Sequence, residues 1–231
     1  MEMTITIPEN WSEVTLEQYM KFYKSIKPYE KTDQYERKVL ENAIYYFCNI
    51  SADVYHKLPQ SVFTNLSNSI IELIQTSNKQ ELVLNFELLD QKYGFIPDID
   101  SISYGEYADL VTYSKDTWQN MALLMSILYR PIIEQKGEKY LIESYSGTVD
   151  SRVELFNKKL TMDIIFGALS FFFRLQMDLL QDILTCSINQ IQKETLKDMK
   201  LNRSLQKSGD YIQQFTLLQE ETFSNLRQLL D

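Results

Sequence analysis

One histidine, two cysteines and a few closely spaced acids are what this chain offers to catalysis or metal binding. His56 is the single candidate for general-base work, which needs a nucleophile or an orienting carboxylate in reach. Its surroundings, Ser51-Ala52-Asp53-Val54-Tyr55-His56-Lys57, carry no nucleophile motif, so a solvated or capping histidine is expected. Cys48 and Cys186 lack CxxC spacing and fall in apolar helical patterns. That combination predicts two buried free thiols, suited to a reducing compartment, and no structural zinc. Glu106 and Asp109 lie three apart on one helical face, where they could hold a cation or exchange a proton, yet an oxygen-ligand site needs more converging groups. A solvated face or an ion pair is the simpler reading. Asp98 and Asp100 look like the opening of a calcium loop without its glycine or closing glutamate. All six glycines are isolated, so no phosphate-cradling loop is formed. No cofactor and no metal is expected.

Arg130 is the charge with the most to do. It follows an apolar helix and precedes Pro131, at the negative helix end where a guanidinium is favoured and can pair with a carboxylate. Glu106, Asp109 and Glu143 are its candidate partners. Such an arginine either locks the helix end to the following ribbon or docks a partner. The 15 tyrosines and 12 phenylalanines fall mostly at core spacing. Phe171, Phe172 and Phe173 cannot all face one core from one helix, so at least one should meet a second layer or a partner. These three, with Arg130, Tyr129, Tyr104 and Tyr107, are the interface candidates.

The elements that must position these groups are mostly helical. Thr4 to Ile7 alternates with period two and stops at Pro8, as a short edge strand would. Thr15-Leu16-Glu17-Gln18 has capping-box spacing and opens a helix over 15–26. A second helix is predicted over 33–50. Ser51 caps a short turn, and Ser61 caps a third helix with its stripe of Phe63, Leu66, Ile70, Ile71 and Ile74. Residues 80–100 read as two short strands with turn formers at Asp90 and Gly94. Helices follow over 104–113 and 118–129, the second ended by Pro131. A ribbon over 132–142 turns at Lys136-Gly137. Ser151-Arg152-Val153-Glu154 repeats the capping-box spacing, and Thr161 caps a helix predicted to run unbroken to about residue 200, about 60 Å at 1.5 Å per residue. A final amphipathic helix over 211–230 completes the chain. The expected fold class is therefore mostly α with minor β-ribbons, a helical bundle built around one long C-terminal helix over about 161–200. Residues 1–100 and 101–231 are expected to form one compact unit.

Composition narrows the function. Of 231 residues, 44% are apolar and 24% charged, values of a chain that folds. The net charge of -9 and pI near 4.8 oppose nucleic-acid or anionic-membrane binding and favour a protein partner. Met1 to Pro8 lacks the basic start and apolar core of an export signal. The most apolar run, Ile164 to Phe173, is half of the roughly 20 residues a spanning helix needs.

Four stretches read together are more specific than any of this. Ile102-Ser103-Tyr104-Gly105-Glu106-Tyr107-Ala108-Asp109-Leu110, Trp118 to Ile127, Leu128-Tyr129-Arg130-Pro131-Ile132 and Tyr140-Leu141-Ile142-Glu143-Ser144-Tyr145-Ser146-Gly147 resemble a family of phage tail-morphogenesis proteins. That family includes small baseplate-hub proteins of T4-like phages and tail-assembly chaperones. The run Phe166 to Phe173 adds to the likeness. The resemblance implies a non-enzymatic tail-assembly factor that binds a tape-measure or baseplate component, present in the bacterial host cytoplasm during assembly or in the virion tail. A homo-oligomer is compatible with it. A resident virion subunit (ring, connector or head-tail protein), a small enzyme built on scattered acids, and a host-directed regulator are the alternatives.

Overall fold

The computed structural model describes residues 5–99 and 102–172. Its helices begin where local chemistry starts them. In α1 (Leu16–Ile26) the Thr15 box forms in both directions: Gln18 N–H donates to Thr15 Oγ1 at 3.3 Å and Thr15 N–H to Gln18 Oε1 at 2.9 Å. α2 (Tyr35–Phe47), the short α3 (Ala52–Tyr55) and α4 (Gln60–Gln75) follow. Ser61 does not cap α4, because that helix already starts at Gln60, behind Pro59. α4 buries Leu66, Ile70, Leu73 and Ile74, while Phe63 and Ile71 are half-buried.

β1 (Asn85–Leu88) and β2 (Gln91–Phe95) form the expected hairpin. Its turn is Leu89-Asp90, both at positive φ, as a tight two-residue hairpin demands. Gly94 is a strand residue, not a turn former. A Cβ there would stand 2.5 Å from the Tyr140 ring, which lies across β2 with its hydroxyl 2.9 Å from the Leu84 and Phe95 carbonyls.

α5 (Tyr104–Tyr113) and α6 (Met121–Leu128) come next, and α6 passes into β3 (Tyr129–Lys136) without a loop. Tyr129 is already extended at φ -115, ψ 119, and Pro131 holds Arg130 away from helical angles. β4 (Lys139–Ile142) returns from the Gly137 turn, where φ is +64. α7 (Asp150–Lys159) starts one residue before Ser151, so the second expected capping box is absent and Val149 stands at the cap. The box forms instead at α5, where Ser103 and Glu106 serve each other's backbone N–H groups.

Two corrections to the expected fold class follow. The two hairpins are not separate ribbons: Tyr93↔Pro131, Gly94↔Arg130 and Phe95↔Tyr129 join them into one four-stranded antiparallel sheet, β1-β2-β3-β4. Phe156 of α7 and Phe171 and Phe172 pack on that sheet, and among the described residues no bundle around one long C-terminal helix is shown. Residues 162–172 are helical. The remainder of the expected span to 200, the helix over 211–230, Phe173 and Cys186 lie outside the described residues. Among the described residues no helix is long and apolar enough to cross a membrane.

One core joins both halves of the chain. Trp11 meets Phe166 at 4.8 Å, Tyr19 meets Trp118 at 5.0 Å and Phe22 meets Phe47 at 4.9 Å. Backbone bonds stitch the same place, Leu16 N–H to Leu160 O at 2.7 Å and Met162 N–H to Val14 O at 2.8 Å. On the sheet side, Phe86, Tyr93, Phe95, Tyr129 and Phe156 pack ring on ring.

Burial also sets an alkaline limit. It pushes the Cys48 thiol up to about 11 and the Tyr35 phenol up to about 12, with the Glu30 charge adding to the latter, and raises Tyr19 and Tyr129 further. A folded-state value above the unfolded one leaves stability intact below the unfolded pKa and removes it as pH climbs toward the folded one. With free thiol near 8.5 and free phenol near 10, the urea midpoint should hold to about pH 8 and fall steadily by about pH 10.5. Equal midpoints at those two pH values would show that these groups ionise without cost.

Candidate functional site

The charged groups that the sequence singled out converge on the far side of β3. Ser103, in extended conformation, opens α5 and fixes Glu106 in its first turn. The Ser103 N–H donates to Glu106 Oε2 at 2.6 Å, and the other carboxylate oxygen meets Arg130 Nη2 at 2.5 Å. Both side chains are 7% exposed. Arg130 pairs with one of its candidate partners, but the pair joins β3 to the start of α5 rather than the end of α6 to the ribbon, and it is a single contact because the second carboxylate oxygen serves the helix cap. Tyr145 lies over the guanidinium at 5.7 Å and donates its hydroxyl to the Asp109 carboxylate. Burial first, and then that hydrogen bond and the Asp109 charge, raise the Tyr145 phenol well above its ordinary value.

A second arginine that sequence reasoning passed over completes the network. Arg152, in the first turn of α7, pairs with Glu143 just past β4 and reaches the Ser126 carbonyl of α6 at 3.4 Å. Burial holds the Arg130 guanidinium below its usual range, and the Arg152 charge adds to this while Glu106 opposes it. Arg130 Nε is buried without a hydrogen-bond partner. Each arginine thus faces one carboxylate, and the network ties α5, α6, β3, the β4–α7 connection and α7 together. Its chemistry is charge pairing within the fold.

The other candidates are placed apart from it. His56 is exposed, with its ring 5.4 Å from Tyr55. Cys48 is buried and unpaired with another cysteine. Among the described residues no group of three or more His, Cys, Asp or Glu could hold a metal ion.

Of the expected interface residues, Tyr129 is wholly buried and donates its hydroxyl to the Val83 carbonyl at 2.8 Å. Phe172 is buried and Phe171 half-buried, both against Phe95, at 6.2 and 5.6 Å. These rings fill a second layer of the chain's own core, between the 162–172 helix and the sheet. Arg130 is enclosed as described. Tyr107 is half-buried, and among the described candidates only Tyr104 is open, 83% exposed at the start of α5.

The surface with exposed apolar side chains is the free end of the sheet. Leu89 in the β1–β2 turn is 71% exposed, Ile133 in β3 62% and Leu141 in β4 54%; Leu84, at the opposite end of β1, is exposed as well. For Ile133 the cause is the bulge between Ile132 and Glu134, which leaves it without a partner on β4. The adjacent pair Ile132-Ile133 carried a signal for this: neighbouring strand residues face opposite sides, so one of them had to leave the core. Beyond Tyr93↔Pro131 the hairpins part and leave an open groove of about 350 Å³, lined by Glu87, Asp90, Lys92, Ile132, Ile133 and Glu134.

Compared with protein-family models, with curated proteins and with solved structures, the chain matches none.

Proposed function

We propose that this chain is a non-enzymatic bacteriophage tail-assembly factor, a tail-assembly chaperone or baseplate-hub-associated protein that binds a tape-measure or baseplate component. The family resemblance of residues 102–147 supplies the biological setting. The observation that carries the binding role is the sheet end, where Leu89, Ile133 and Leu141 hold apolar side chains in solvent on two adjoining hairpins. The charge pairs support it as well, because Arg130 is engaged with Glu106 and Arg152 with Glu143, which ties both hairpins to the helices.

The test is co-expression of the 231-residue chain with the tail-tube, baseplate and tape-measure proteins of one phage, followed by pull-down at moderate salt. At least one should co-purify, and Ile133→Asp with Leu141→Asp should weaken that binding at least about tenfold while leaving the melting curve in place. Apolar burial resists screening, so the complex should persist at raised salt. Failure to bind any tail component, or binding indifferent to both substitutions, overturns the reading. Recovery of the chain from purified virions would assign it to the mature tail rather than to transient assembly.

A further inference from the structure

β4 is an outer strand of the sheet, and among the described residues nothing pairs with its free edge. Which of its backbone groups face outward follows from one bond. Glu143 N–H donates to the Pro131 carbonyl of β3 at 2.8 Å. Successive residues of an antiparallel strand turn their N–H and C=O groups alternately to its two sides, so Glu143, Leu141 and Lys139 address β3 while Ile142 and Tyr140 present theirs at the open edge. The side chains alternate between faces as well. Tyr140 and Ile142 lie over Gly94 on one face, and Lys139, Leu141 and Glu143 lie on the other, where Glu143 meets Arg152 of α7.

The run Lys139-Tyr140-Leu141-Ile142-Glu143 is complementary to its own reverse. Set antiparallel to a second copy with Leu141 opposite Leu141, Tyr140 faces the second copy's Ile142 and Ile142 its Tyr140, and each such pair exchanges both main-chain bonds. The same register puts Lys139 opposite the second copy's Glu143, and Glu143 opposite its Lys139. Only registers that bring outward backbone groups together can bond, and the two neighbouring ones fit worse. Centring on Tyr140 sets Lys139 against Leu141, and centring on Ile142 sets Leu141 against Glu143. Glu143 can receive the lysine, because its side chain is 44% exposed even with Arg152 on it. Lys139 gains by the contact, since within one chain it stands directly opposite Lys136, a like charge.

We propose that two copies of this chain pair through β4, antiparallel and centred on Leu141, so that their sheets run on as one. Leu141, exposed in the single chain, then packs against its counterpart in a pair of close backbone approach, about 4.5 Å between Cα atoms. An unpaired strand edge is a ready template for such an addition. The dimer stands independently of the tail-assembly reading, and it leaves Ile133 and Leu89 open to another partner.

The experiment is sedimentation equilibrium of the full 231-residue chain carrying Cys186→Ser. The mass should rise from 27.3 kDa toward twice that as the concentration goes from about 1 µM to about 500 µM. Leu141→Asp sets two carboxylates against each other at the centre and should hold the chain at one copy throughout, with the melting curve of the dilute chain unchanged. Lys139→Glu should act with opposite signs. Within the chain it relieves Lys136, so the dilute melting temperature holds or rises; against the second copy's Glu143 it is a like charge, so the dimer dissociation constant rises about tenfold.

Cross-linking reads the register. Leu141→Cys brings two thiols within disulfide range and should oxidise to a covalent dimer at least about tenfold faster than Leu89→Cys, which is more exposed but lies away from the edge. Ile133→Asp, on the inner strand β3, should leave the dimer in place, so loss of a tail component on that change is read separately. A chain that stays monomeric over the whole range, a dimer indifferent to Leu141→Asp or strengthened by Lys139→Glu, or equal cross-linking of the two cysteines would each overturn the proposal.

Discussion

Gly167→Ala is expected to lower the unfolding free energy by about 3 kcal/mol, at the top of the usual overpacking range. A Cβ at Gly167 would sit 2.2 Å from the Glu81 carbonyl oxygen and 2.9 Å from its carbon. Both are backbone atoms, with no rotamer to move aside. The 162–172 helix and the strand-leading segment at 81–82 must then separate, and Tyr129, whose hydroxyl is held by Val83, moves with them. The sign makes the experiment decisive, because alanine in a helix interior is otherwise favoured over glycine by about 1 kcal/mol. A chain of this size should lose roughly 6–12 °C in melting temperature for that change. A melting temperature unchanged or raised would mean that the helix does not lie on this carbonyl.

Glu106→Leu is expected to cost about 3–5 kcal/mol, because it leaves the Arg130 guanidinium buried without the carboxylate it pairs with. It also removes the side-chain half of the α5 cap, worth about 1 kcal/mol by itself. Arg130→Met alone strands Glu106 in the same way. The double variant, Glu106→Leu with Arg130→Met, should recover most of the loss, since two apolar side chains of similar volume have nothing left to neutralise. A urea-denaturation double-mutant cycle reads the coupling directly, and contacting charges should give a coupling well above 0.5 kcal/mol. Additive losses would show that Arg130 and Glu106 act independently. Arg130→Lys should fall between, costing about 1–3 kcal/mol, because an ammonium can meet Glu106 but cannot lie flat beneath Tyr145.

The local features of this chain were legible because they depend on neighbours in sequence. Thr15 and Gln18 are three residues apart, and the box they predict is formed. Lys136-Gly137 turns the β3–β4 hairpin, and α5 spans the 104–113 expected of it. Ambiguity appeared where one pattern allows two registers: Ser151 has the same spacing to Glu154 as Ser103 has to Glu106, yet only Ser103 takes the extended conformation that a cap requires.

Arg130 shows the same division within one residue. Its position after an apolar helix and before Pro131 marked it as a pairing arginine, and Glu106 was among the acids in reach of the argument. The choice of Glu106 over Asp109 and Glu143 came from three-dimensional placement, because Asp109 is held by Tyr145 and Glu143 by Arg152.

By itself the sequence determined an acidic, helix-rich chain with two hairpins, capped helices and no motif for metal or nucleotide, since composition and short-range periodicity act within a few residues. Only the tertiary structure decided that the hairpins share one sheet, that Tyr129 and Phe172 turn inward, and that Leu89, Ile133 and Leu141 remain in solvent. The physical reason is separation along the chain: Gly94 meets Arg130, Gly167 meets Glu81 and Trp11 meets Phe166 across tens or more than a hundred residues. Contacts at such range are selected by how whole faces fit together, and no local spacing records them.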